Sequence, residues 1–102
     1  MILLNTTFFI EKAIEVNFTQ WARTHFIPEL KAFGANEIKF LEILSEDPGA
    51  VRLAVQAVFD DAKTSDRWQS ENLPALLQKA FSNGYGIKPE QMLHFTSAMK
   101  VL

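Results

Sequence analysis

The residues of this chain best suited to chemistry are two histidines, two tryptophans and an asparagine near the start. His25 follows Trp21 by four residues, so on a helix its ring would stack on the indole and keep one nitrogen free. Such a histidine is suited to act as a general base or as a ligand donor at the mouth of a pocket. The alternative role is structural, with His25 donating to backbone carbonyls that are left free where Pro28 interrupts the helix.

The same histidine makes a poor metal ligand. His25 and Glu29 have the i, i+4 spacing of a ligand pair, but Pro28 lies between them and distorts the helical geometry. His94 is distant in sequence, and the chain contains no cysteine to complete a zinc site. We therefore predict no metal and no other cofactor.

A pocket for a small apolar molecule is the first candidate site. Trp21 and Trp68 would form its walls, with His25 and Asn5 as polar groups that orient the ligand. A filled core is the alternative, in which Trp68 is simply buried and the Asn5 amide is hydrogen-bonded. The spacing of these residues does not distinguish the two.

Three polar residues lie at strand positions that would be buried if the sheet formed a dimer: Gln56, His94 and Thr96. A buried polar group costs a few kcal/mol unless it has a partner. Pairing across a dimer interface, which would fix the register of the two sheets, is therefore the expected role. Ligand binding is the alternative.

Four strands are predicted where β-branched and aromatic residues concentrate without internal proline, at 2–10, 38–44, 51–59 and 92–102. Pro48 and Gly49 stand between the second and third of these, in the order that a tight turn favours, and predict a hairpin.

Two helical stretches separate the strands in the order βαββαβ. The first begins near Ile14, is predicted to end near His25 or Phe26, and is followed by a short helical turn from Pro28 to Gly34. The second is interrupted in the same way by Pro74. Two kinked helices on one face of a four-stranded antiparallel sheet, an α+β ferredoxin-like fold, are the expected architecture.

The strands are apolar on both faces, which is unusual for a sheet with one wetted side. In the first strand Leu4 and Phe8 share one parity, while Leu3 and Phe9 share the other. Two helices cover one face only, so the second face would expose more apolar surface than a monomer usually tolerates. We therefore predict a homodimer that buries this face by stacking two sheets into an α/β barrel.

Length and charge limit the domain organisation and the classes of function that the chain can have. The 102 residues suit one domain spanning 1–102, with 48% hydrophobic and 22% charged residues. A net charge of −2 gives no electrostatic footprint for nucleic acid or for an anionic membrane surface. No stretch approaches the ~20 apolar residues of a membrane span. The absence of cysteine fits a cytoplasmic location.

Several short motifs together resemble a known superfamily. They are the opening Met1-Ile2-Leu3-x-Asn5 strand, Trp21 with His25-x-Ile27-Pro28-Glu29, the strand Ala54-Val55-Gln56, and Asn72-Leu73-Pro74-Ala75-Leu76. In order and spacing the chain resembles the dimeric α/β-barrel superfamily, which includes antibiotic-biosynthesis and haem-degrading monooxygenases. Within it, the chain looks most similar to a small bacterial family of unknown function. The resemblance implies a ferredoxin-like dimer and leaves the activity open.

Two functions follow as hypotheses. The haem-degrading members resemble this chain in placing Asn on the first strand and Trp on the second helix, but their axial histidine has no counterpart among residues 68–82, so haem is not expected. A dimeric module that binds a small apolar ligand is the first hypothesis. The second is a cofactor-independent oxygenase or isomerase acting on an aromatic or quinone-like metabolite, with His25 as base and Asn5 as polar anchor.

Overall fold

The computed structural model describes residues 1–82 and 84–102. Its four strands are β1 (Ile2–Glu11), β2 (Asn36–Ile43), β3 (Ala50–Phe59) and β4 (Met92–Lys100). They form one antiparallel sheet in the order β2-β3-β1-β4. The predicted βαββαβ ferredoxin-like fold is confirmed, and the edges of the sheet are β2 and β4.

Two helical segments pack on one face of this sheet. The first contains a 3₁₀ turn (Lys12–Ile14), α1 (Glu15–Trp21), a π-helical turn (Ala22–Phe26) and α2 (Ile27–Phe33). The second contains α3 (Ala62–Arg67), a π-helical turn (Trp68–Asn72) and α4 (Leu73–Ser82). A 3₁₀ turn (Pro89–Gln91) leads into β4.

The prediction that the first helix ends near His25 or Phe26 is wrong, because the helical backbone runs from residue 12 to residue 33. Proline cannot donate a hydrogen bond, and in a regular α-helix its ring clashes with the carbonyl four residues earlier. Here the backbone N–H of Ile27 donates to the carbonyl of Ala22, five residues back. The widened turn places Pro28 in the first turn of α2, where proline is tolerated.

The second segment accommodates Pro74 in the same way. The N–H of Leu73 donates to the carbonyl of Trp68, again five residues back. The segment begins at an N-cap, where the carboxylate of Asp61 accepts the backbone N–H of Thr64 at 2.8 Å. That hydrogen bond lowers the pKa of Asp61 below its ordinary value.

The core lies between the helices and the even-numbered residues of β1. Leu4, Thr6, Phe8 and Ile10 are buried there, opposite the odd-numbered residues of β3. Helix side chains complete this layer: Ile14, Phe18, Trp21, Phe26, Leu30, Trp68, Leu73, Leu76, Leu77 and Ala80. No helix in the described ranges is both long and apolar enough to cross a membrane.

Candidate functional site

The two tryptophans lie in the core rather than in an open pocket. Trp21 and Trp68 are both fully buried, and Phe26 lies between them with ring-centroid distances of 5.6 Å and 5.8 Å. Neither indole N–H has a hydrogen-bond partner among the described residues. Neither ring lines any of five surface concavities found among residues 1–82 and 84–102. Both residues therefore act as core packing.

His25 joins the first helical segment to the loop before β4. Its Nε2 lies 2.9 Å from the hydroxyl of Tyr85, and the two rings meet edge to face at 5.6 Å. The i, i+4 spacing predicts Trp21 as the ring partner of His25. In the structure the ring partner is Tyr85 instead. The pair is half-buried and ties residues that are 60 positions apart. Sequence reasoning did not single out Tyr85, because a contact this distant leaves no local signal.

Asn5 lies on the opposite face of the sheet from His25. Its strand neighbours Leu4 and Thr6 are buried under the helices, so Asn5 faces away from them. Its side-chain amide donates to the hydroxyl of Thr7 at 3.0 Å, on that same outer face. The hypothesis that Asn5 and His25 share one pocket is therefore wrong within a chain. The oxygenase or isomerase hypothesis depended on that pairing.

The placement of His94 and Thr96 on a dimer face is also wrong. In the β1–β4 register His94 is opposite Phe8 and Thr96 is opposite Thr6, both of which face the helices. The two threonine hydroxyls lie 3.2 Å apart. His94 lines a groove of about 310 Å³ beside α4, with Gln69 and Phe81 among the other lining residues. Without this register, the sequence does not show whether the odd-numbered or the even-numbered residues of β4 face the helices.

The helix-free side of the sheet is called the open face, and the three strand pairings define it. It carries Leu3, Asn5, Thr7 and Phe9 of β1, Lys39, Leu41 and Ile43 of β2, Arg52, Ala54, Gln56 and Val58 of β3, and Leu93, Phe95, Ser97 and Met99 of β4.

Large apolar side chains of the open face are exposed. Leu93 is 65% exposed and Phe95 60%, and Leu41, Ile43 and Met99 are also exposed. Phe95 packs edge to face on Phe9 with ring centroids 5.7 Å apart. The expected apolar second face is therefore present, and no segment of the described chain covers it.

A polar row crosses this apolar face. Lys39 is opposite Gln56, Gln56 is opposite Asn5, and Asn5 is opposite Ser97, so one row of four polar residues spans all four strands. Gln56 was identified from sequence as a polar residue of this face, and its position there is as expected. Lys39 and Ser97 were missed, because only the register of β2 and β4 aligns them with it.

A concavity of about 500 Å³ adjoins the polar row at one end of the open face. Its lining residues are Leu3, Glu37, Ile38, Lys39, Gln56, Val58 and Val101. The strand β2 has an irregular register between Asn36 and Lys39, and Glu37 adopts a left-handed backbone with φ of 50°. Such conformations cost about 1–3 kcal/mol in a residue other than glycine and occur often at binding sites.

Within residues 1–82 and 84–102, no group of three or more His, Cys, Asp or Glu side chains is arranged to hold a metal ion.

Solved structures with the same fold have little sequence in common with this chain. An antibiotic biosynthesis monooxygenase is 13% identical with a TM-score of 0.65, covering 100% of this chain and 99% of that one. A dimeric ferredoxin-like protein from an uncultured marine organism is 11% identical with a TM-score of 0.56, covering 99% and 95%. A de novo designed protein, Foldit4, is 12% identical with a TM-score of 0.63, covering 99% and 98%.

These likenesses establish the fold and leave the chemistry open, since a natural enzyme and a designed chain share it. No curated protein matches the chain at a significant level of sequence similarity. The family comparison covers the whole chain and agrees with the resemblance to a small family of unknown function. Over residues 1–102 the chain matches, and therefore belongs to, the family described as a domain of unknown function, DUF4286.

Proposed function

We propose that this protein is a homodimeric binding module, in which two copies stack through their open faces and enclose a small apolar ligand. The observation that carries the proposal is the exposure of Leu93 and Phe95 together with their apolar neighbours on a face that the helices leave uncovered. The exposed side chains lie on both edge strands of this face, β2 and β4, and soluble monomers rarely leave extensive apolar surface uncovered.

The size of the open face suits a second copy of this chain. Four strands spaced about 4.8 Å apart and some nine residues long span roughly 20 by 30 Å. Covering such a face buries an area close to the ~800 Å² per partner of a stable protein interface. One structural neighbour is described as a dimeric ferredoxin-like protein, which supports a dimer.

The charge of the open face also favours self-association. Its charged positions in the paired ladders are Lys39, Arg52 and, at the end of β1, Glu11, and Glu37 lies beside them in the irregular part of β2. The guanidinium of Arg52 lies over the ring of Phe9, 5.3 Å from its centroid, so this cation is already partnered. Interface cores are depleted of charge in the same way, and two such faces meet with little repulsion.

Replacing Phe95 by Asp tests the interface. Phe95 is 60% exposed within one chain, so Phe95→Asp leaves the fold intact but places a carboxylate in the proposed dimer contact. We expect sedimentation velocity at micromolar concentration to show a dimer for the wild type and a monomer for Phe95→Asp.

Val16→Asp is the matched control, because Val16 is 76% exposed and lies on α1, outside the open face. This variant is expected to remain dimeric. A monomeric wild type overturns the proposal. A dimer that persists in Phe95→Asp shows that another surface forms it, and overturns the proposal equally.

A further inference from the structure

We propose that the polar row and the adjoining concavity form a binding site for a small amphipathic carboxylic acid, closed over by the second copy of the chain. The site deepens the proposed function and rests on it. Its polar groups are the ammonium of Lys39, the amides of Gln56 and Asn5, and the hydroxyl of Ser97.

The polar row carries hydrogen-bonding capacity that the chain itself does not use. Asn5 donates to Thr7, but no side-chain hydrogen bond or ion pair joins Lys39 or Gln56 to another residue in the described part of the chain. In a monomer water satisfies these groups. Under a second apolar sheet they would lose that water, and each unpaired group would destabilise the dimer. An occupant with acceptor atoms at this row would satisfy them in place of pairing between the rows of the two copies.

The concavity supplies the apolar half of the site. Leu3 and Val58 form its floor on adjacent strands, and Val101 closes it from the end of β4, where its backbone N–H donates to the carbonyl of Met1. A volume of about 500 Å³ lies within the usual range for small-molecule sites. It accommodates an alkyl or aryl body.

The one charged residue of the polar row, Lys39, favours an acid over an amine at the row. Lys39 lies in the ladder of β2 opposite Gln56, on the same face as the two amides. Glu37 also lines the concavity, but it lies in the irregular part of β2, outside the paired ladder. A carboxylate at the row accepts from an ammonium and from amide N–H groups, which are charge-assisted hydrogen bonds. An amine there would face Lys39.

Decanoate is the probe, titrated into the 102-residue chain by calorimetry, with decylamine as the comparison of opposite charge. We expect saturable decanoate binding, weaker binding of decylamine, and shifts of the Asn5 and Gln56 side-chain amide resonances in NMR spectra. Lys39→Glu should weaken decanoate binding by about tenfold or more, because it removes the cation and adds a repelling charge. Lys63→Glu, the same charge change on α3, should bind as the wild type does.

Sedimentation of the same samples separates the two proposals. A wild-type dimer that does not bind decanoate, or that binds decylamine more tightly, overturns the acid site and leaves the dimer standing. A Lys39→Glu dimer with unchanged decanoate binding overturns it as well. A monomeric wild type overturns the dimer and with it the closed site, even if decanoate binds to the exposed face.

Discussion

At the scale of single residues, His25 connects two distant parts of the chain through a hydrogen bond and a ring contact. A hydrogen bond between half-buried side chains contributes about 1 kcal/mol to stability. The hydroxyl of Tyr85 is the partner, since it lies 2.9 Å from Nε2 and the ring packs edge-on against the imidazole. The bond fixes the loop that leads into β4 onto the first helical segment.

A double-mutant cycle tests this connection. Tyr85→Phe keeps the ring and removes the hydroxyl, so we expect a loss of about 1 kcal/mol in the free energy of unfolding, measured with urea. His25→Ala should lose somewhat more, because the ring contact goes too. The double variant should be less destabilised than the sum of the two single variants. Strict additivity would show that the two side chains do not interact.

At the scale of elements, both helical segments contain a π-helical turn shortly before a proline. Each has a π-helical turn followed by an apolar residue and proline. Trp21 immediately precedes the turn that leads to Ile27-Pro28, and Trp68 is the first residue of the turn that leads to Leu73-Pro74. From each tryptophan to the next large buried residue the step is five residues, to Phe26 and to Leu73. A regular helix would give three or four, so this step is a sequence signal for a π turn.

Proline replacement tests whether the π turns relieve the strain. In the middle of a regular helix, Pro→Ala would stabilise the protein by about 3 kcal/mol. Pro28 is exposed and lies in the first turn of α2, so we expect Pro28→Ala to change the free energy of unfolding by less than about 1 kcal/mol. Pro74→Ala should behave alike in the same urea titration. A gain near 3 kcal/mol in either variant would mean that the helix is strained there.

At the scale of the whole molecule, the chain is a two-layer structure, with helices on one side of the sheet and the open face on the other. A dimer that unfolds to separate chains has a melting temperature that depends on protein concentration. For two chains of this length we expect the Tm to rise by about 3 °C for each tenfold increase in concentration. Calorimetry of wild type and Phe95→Asp checks this, since the variant should show no dependence. A concentration-independent wild-type Tm argues against dimerisation.

The order of strands and helices could be predicted from sequence, because periodicity and turn residues are local properties. The presence of a second apolar face could be predicted too, since both parities of the strands are apolar. For the same reason the sequence could not say which parity faces the helices. In a sheet with one face in water, apolar and polar residues alternate along each strand and so indicate which residues face the core. The strands of this sheet lack that alternation.

The candidate site was decided by the tertiary structure. Gln56 and Asn5 were recognisable as polar residues in apolar strands, but their alignment with Lys39 and Ser97 depends on three strand registers. Register is set by contacts between distant segments and by the packing of whole faces, which no short stretch of sequence encodes. The same long-range packing placed His94 on the helix side of the sheet and brought His25 to Tyr85. Local sequence determined the elements, and the register determined which of their polar groups meet.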